Sequence, residues 1–211
     1  MKNSLNDKKL LEQQELLHKE GLQVLKELSL LSELSSYGKP FIVGSFDLQL
    51  LTRRDIDIEM VIDTLNKEYV QKLCSHLVGL NLGRIDLTVM DNTITKDSEM
   101  PNGCYVGVKY IRNETPKAER NPRSPLTWQL DIHFITEELA RGKEKTEEVK
   151  RRLTPDKRLS MLRIKEKMTS HPQYHKTVFG IDIYDAVLDH DITDIQEFKK
   201  YMKEKGIDLA E

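Results

Sequence analysis

Apolar positions in the first 36 residues recur with a helical period. Leu10, Leu17, Val24 and Leu31 stand seven apart, and Leu28 and Leu34 widen the stripe. Lys8, Lys9, Glu12, Glu15, Lys19 and Glu20 occupy the other faces. The spacing predicts one long amphipathic helix over residues 1–36, packed on a core by its leucines. A dimerisation helix is the other use of such a stripe, and it would make the chain a homodimer. Gly38-Lys39-Pro40 ends the helix, since glycine suits a C-terminal cap and proline forbids continuation.

The pattern then changes. Phe41-Ile42-Val43 reads as a short buried strand running into Gly44-Ser45, and Phe46 to Leu51 as one or two helical turns. Residues 55–62 alternate apolar and polar, as a strand does. A helix over 64–79 follows, then two strands at 84–90 and 103–111, expected to pair as a hairpin across a loop at 91–102. A loop rich in Asn, Pro, Arg and Ser covers 112–125, and residues 127–135 form another alternating strand. From Glu137 on the chain is helical and strongly charged, broken at Pro155 and near Pro172. The fold class is therefore α/β of the α+β type. Residues 1–36 form an N-terminal helix, 37–138 a core built on a small mixed sheet, and 139–211 a helical C-terminal segment.

Composition narrows the function. The 211 residues are 38% hydrophobic and 32% charged, with a net charge of −2 and a sequence pI near 6.3. That balance argues against a dedicated DNA or RNA binder, which shows a basic excess, but a nucleotide needs only a few local cations. Cys74 and Cys104 form no CxxC motif and read as reduced thiols. No signal-peptide core opens the chain, and no apolar run approaches the roughly 18 residues of a membrane helix. A soluble cytoplasmic protein is expected.

The chemistry lies in two strands. Asp55 and Asp57, two apart, share one strand face, while Ile56, Ile58, Met60 and Ile62 take the other. Asp131 shares a face with Gln129 and His133, opposite Trp128, Leu130, Ile132 and Phe134. Three aspartates on one side of neighbouring strands resist simultaneous ionisation. A hard divalent cation, Mg²⁺ or Mn²⁺, removes the conflict. Two such ions can clamp the attacking and leaving oxygens of a displacement at phosphorus. Ahead of the pair, Gly44 lets the backbone approach a phosphate, and Ser45 can donate to phosphate oxygens.

A strand ending in Gly-Ser, a short helical connection and then Asp-x-Asp, with a later strand reading Leu130-Asp131-Ile132, resembles the DNA polymerase β-type nucleotidyltransferase superfamily. The match runs from about residue 41 to 135. The resemblance implies a nucleotidyltransferase-type core that moves a nucleoside monophosphate, AMP from ATP by expectation, to a hydroxyl acceptor, with release of pyrophosphate. It implies metal ligation by Asp55, Asp57 and Asp131 and nucleotide binding by Gly44, Ser45, Arg54 and Lys109. A small molecule is the expected acceptor, ahead of a protein or RNA end; antibiotic-modifying members of the superfamily offer one such class. The sequence departs from those members after Gly-Ser. They follow with a small residue and Arg-Gly, whereas this chain has Phe46-Asp47-Leu48, placing an acidic side chain near the phosphate loop.

Other residues carry double readings. Glu59 reads as a solvated strand end rather than a fourth ligand, and His133 as a hydrogen-bonded structural histidine. Arg53 and Arg54 either meet phosphate or pair with local carboxylates. Lys109 and Arg112 either border the site or solvate an edge. The basic series Lys150, Arg151, Arg152, Lys157, Arg158, Arg163, Lys165 and Lys167 reads mainly as a solvated helix face, with part able to reach over the cleft. Tyr174, His175 and Lys176 fall in a loop with no assigned role. Two rivals stand beside the enzyme: a catalytically silent nucleotide-binding or interaction module of the same fold, and a partner-regulated protein of the toxin–antitoxin kind.

Overall fold

The computed structural model describes residues 2–95, 101–113 and 126–209. Five strands form one mixed sheet in the order β1-β2-β5-β4-β3. They are β1 Lys39–Val43, β2 Asp55–Val61, β3 Gly83–Asp91, β4 Cys104–Arg112 and β5 Trp128–Ile135. β2 and β5 run parallel, and the other neighbours are antiparallel. β3 and β4 are the expected antiparallel pair; residues 96–100 of the loop between them, and 114–125 of the later loop, lie outside the described residues.

The N-terminal stripe forms two helices rather than one. α1 spans Lys2–Glu27 and α2 Leu30–Ser35. The break falls at Ser29, whose φ of 48° leaves the helical region. Leu28 and Leu30 on either side of it are fully buried, so tertiary packing sets the bend. α2 ends before Gly38, and Lys39-Pro40 already belong to β1. β1 is an edge strand, where a proline lacking its N–H is tolerated.

One sheet face is apolar. Ile56, Ile58, Met60, Val106, Val108, Leu130, Ile132 and Phe134 pack there with α1, α2 and α4 (Lys67–Gly79) through Val24, Leu28, Leu34, Leu73 and Leu77. The short helix α3, Gly44–Asp47, joins the same core through Phe46. Gly21 on α1 makes room for it, since a Cβ there would lie 2.3 Å from the Phe46 ring and 2.8 Å from Trp128. Beyond α5 (Asn92–Thr95) and β5 come α6 Arg141–Arg152, α7 Pro155–Met168, α8 Gly180–Asp189 and α9 Ile195–Glu204. These four helices share a second apolar cluster, to which Leu48 and Leu50 contribute from the segment before β2. Among the described residues no helix is long and apolar enough to cross a membrane.

Candidate active site

The second sheet face carries the polar residues, and strand register brings them together. Asp57 pairs with Asp131 across β2 and β5, while Asp55 pairs with Gln129 and Glu59 with His133. Residues so paired on neighbouring strands are about 5 Å apart. The three expected carboxylates thus occupy two adjacent rungs of one face.

Each is held differently. Asp55 is buried, and its Oδ2 accepts from Arg53 Nη2 at 2.6 Å and Nε at 3.1 Å. Its Oδ1 is buried with no hydrogen-bond partner. Burial pushes the Asp55 carboxyl up, against the pull of Arg53. Asp57 is pushed well above the usual carboxylate range by burial and by the like charges of Asp55 and Asp131. Asp131 Oδ1 accepts from Tyr105 Oη at 2.5 Å and Gln129 Nε2 at 2.8 Å. The Tyr105 phenol is raised by burial and by Asp131. His133 lies against Tyr105, ring centroids 5.1 Å apart, and burial lowers its imidazole below 6.5.

Gly44 closes one end of this face. Its φ is +65°, and a Cβ there would stand 3.1 Å from Asp57 Oδ2. The glycine therefore serves both the left-handed turn and the close approach of the loop to the carboxylate. Its N–H donates to Thr146 Oγ1 of α6 at 2.9 Å. Ser45 Oγ accepts from Lys165 Nζ at 2.5 Å and lies 3.3 Å from Tyr184 Oη. Lys165, 3% exposed, is the member of the basic series that reaches the site. Burial lowers its ammonium, and Asp55 and Asp57 oppose that. Its position was legible in outline: Met161, Lys165 and Met168 fall on one helix stripe, so the lysine sits in an apolar face. Ser45, Arg53, Asp55, Lys165, Tyr174 and His175 line one cleft. His175 has a φ of 62°. Burial, with Arg53 and Lys165 nearby, holds its imidazole down at about 4.

Several expected residues lie elsewhere. Arg54 forms a two-pronged pair with Glu20 of α1, 2.9 Å in each arm, on the side where Glu20 also accepts from Trp128. Arg112 likewise pairs with Glu27 of α1. Lys109 lies on the polar face between Asp86 and Gln129 in the register. Glu59 is not a solvated strand end. It is 8% exposed and accepts the backbone N–H groups of Gly142 and Lys143, both at 2.7 Å, at the start of α6. The acidic Asp47 is paired with Lys150 of α6 at 2.6 Å. The departure after Gly-Ser is thus accommodated: Phe46 faces the core and Asp47 has a cation.

The donor set suits a hard cation: carboxylates on adjacent strands, one with a buried unpartnered oxygen. Among the described residues, however, no group of three or more Asp, Glu, His or Cys is drawn together as a metal site. Arg53 holds one oxygen of Asp55, and Tyr105 and Gln129 hold one of Asp131.

No protein-family model and no curated protein sequence matches the chain. Solved structures do match. A cytoplasmic RNA terminal U-transferase superposes with a TM-score of 0.53 at 14% identity, covering 81% of this chain and 45% of that one. The Cid1 poly(U) polymerase with bound MgGTP superposes with a TM-score of 0.55 at 14% identity, over 82% of this chain and 49% of that one. A further Cid1 structure, described for its RNA terminal uridylyl transferase activity, gives 0.55 at 14%, over 81% and 46%. This chain therefore spans about half the length of the structures it matches. The fold, a five-stranded mixed sheet flanked by helices, matches that of these terminal U-transferase and poly(U) polymerase structures.

Proposed function

We propose that the chain is a divalent-metal-dependent nucleotidyltransferase whose site is the polar face of β2 and β5. One observation carries the reading: Asp57 stands in register with Asp131, one rung from Asp55, under a left-handed glycine turn where a Cβ would crowd the Asp57 carboxylate. Such a cluster is costly without a cation. The solved structures with bound Mg-nucleotides share this fold.

Asp55 and Asp57 would hold the metal from β2 and Asp131 from β5. The bound Mg²⁺ or Mn²⁺ would neutralise charge on the phosphates and lower the pKa of the acceptor hydroxyl. Ser45 and the Lys165 ammonium would donate to the triphosphate, with Gly44 giving its backbone room. Lys109 would add a cation from β4. Arg54 drops from this set because Glu20 engages it. Asp131 would take the proton as the hydroxyl oxygen attacks the α-phosphorus. A phosphorus–oxygen bond then forms, the bond to the β-phosphate breaks, and pyrophosphate leaves. The work is positioning and charge neutralisation. The helices α6 to α9 act as the wall that carries Lys165 over the sheet.

The donor is read as an NTP, with ATP and a small hydroxyl compound as the first pair to try. Labelled ATP, GTP, CTP and UTP are each incubated with Mg²⁺ and a panel of small hydroxyl compounds and RNA ends. Pyrophosphate release with one donor, lost in Asp57→Asn, supports transfer. Equal signals from wild type and Asp57→Asn would contradict it.

A further inference from the structure

Gly107 and Tyr105 lie on β4, whose residues pair with β5: Gly107 faces Asp131 and Tyr105 faces His133. By register alone, Tyr105 would sit one rung away from Asp131. Instead its side chain folds along the strand to Asp131, and its hydroxyl donates to Oδ1 at 2.5 Å. The space it crosses exists because residue 107 has no side chain. A Cβ on Gly107 would lie 2.4 Å from Tyr105 Oη and 2.9 Å from Cζ. From the adjacent rung on the opposite side, Gln129 Nε2 reaches the same oxygen at 2.8 Å. The His133 ring lies against the Tyr105 ring, the two planes 46° apart.

Resting on the reading of the site given above, we propose that Tyr105, in the space left by Gly107, is a positioning residue for Asp131. Two donors clamp Oδ1, and neither uses Oδ2, which is left to the cation. Both donors are neutral, so they orient the carboxylate without cancelling its charge. Asp55 contrasts with this, since its oriented oxygen is paired with the Arg53 guanidinium. Loss of a partner that orients a ligating group typically costs about 10–100-fold in metal affinity. Register places Tyr105 and Asp131 on adjacent rungs of one face, a diagonal that an aromatic side chain can span.

The test is Mn²⁺ binding, read from the loss of the free-ion electron paramagnetic resonance signal with a non-hydrolysable NTP present, on the full chain. Tyr105→Phe removes one hydroxyl and keeps the ring on His133. The expected result is a Kd weakened roughly 10-fold or more, with the melting temperature of the metal-free protein little changed. Gly107→Ala, which forces the ring aside, should weaken binding similarly even if it lowers the melting temperature. Tight binding by wild type and an unchanged Kd in Tyr105→Phe would overturn the positioning role. No binding by wild type would instead overturn the reading of the site, and the positioning role with it.

Discussion

Asp57 concentrates the electrostatic cost of the site. Burial, Asp55 and Asp131 all favour its protonated form in the folded chain. Unfolded, it returns to the ordinary value of about 3.8. Between those two values the folded state binds more protons than the unfolded one. Stability from this group is therefore present at low pH and lost as pH rises through the raised value. Metal-free wild type should lose stability relative to Asp57→Asn as pH rises from about 4 toward neutrality. Urea midpoints at a series of pH values, in EDTA, check this. A constant difference between the two proteins would show that Asp57 carries no such burden. The carboxylates themselves were legible in the sequence, because a period of two assigns Asp55 and Asp57 to one face. Their partners were not. Arg53 and Arg54 are neighbours, yet one turns to Asp55 and the other to Glu20, 34 positions away. Only the docking of α1 decides between them.

At the scale of elements, α6 is placed by a side chain from the sheet. Glu59 accepts two N–H groups at the start of α6, which otherwise lack intrahelical partners. Asp47 and Thr146 tie α6 to α3 from the other side. Glu59→Ala leaves two donors unsatisfied and should cost about 1–3 kcal/mol, measured as a change in urea midpoint; a change within about 0.5 kcal/mol, typical of surface substitutions, would contradict the capping role. Gly21 sits at the corresponding contact under α1. Alanine is the better helix former by about 1 kcal/mol, so propensity alone predicts that Gly21→Ala stabilises. The 2.3 Å approach to Phe46 predicts the opposite, a net loss of about 1–3 kcal/mol from overpacking. Thermal denaturation separates the two by sign. Element types and their bounds followed closely from periodicity: 64–79 became Lys67–Gly79, and 84–90 became Gly83–Asp91. The break at Ser29 escaped it, because the leucine stripe continues across residues that turn away from the helix axis.

Among the described residues two large apolar clusters, beside a small one at Val61, Ile135 and Ala140, flank the polar face. One lies between the sheet and α1, α2 and α4, and the other among α6 to α9. Leu48 and Leu50 carry the chain from the Gly44-Ser45 turn into the second cluster. Arg158 on α7 donates to the Leu48 and Gln49 carbonyls at 2.6 and 2.7 Å. Lys165 and Arg163 extend from the same helix to Ser45 and to Asp7 of α1. Much of the basic series therefore fastens α7 to the rest of the fold, which composition could not distinguish from solvated surface. The leucine stripe of α1 belongs to the core through Leu17, Val24 and Leu25, with Leu28 just beyond its end. Deleting residues 2–27 should accordingly abolish cooperative unfolding and yield aggregate, rather than convert a dimer into a folded monomer. Sizing with circular dichroism checks this, and a soluble, cooperatively folded deletion product would contradict it.

The proposed site needs Asp55, Asp57 and Asp131 to act together on a cation and a nucleotide. Thermal stability in the presence of each NTP, with Mg²⁺ and then with EDTA, is the measurement to make. A ligand that binds only the folded state raises the midpoint by mass action. The expected result is a rise with at least one NTP that requires the metal and disappears in Asp55→Asn. An unchanged midpoint at millimolar NTP and Mg²⁺, or an equal rise in Asp55→Asn, would contradict it and favour a fold retained without the catalytic site.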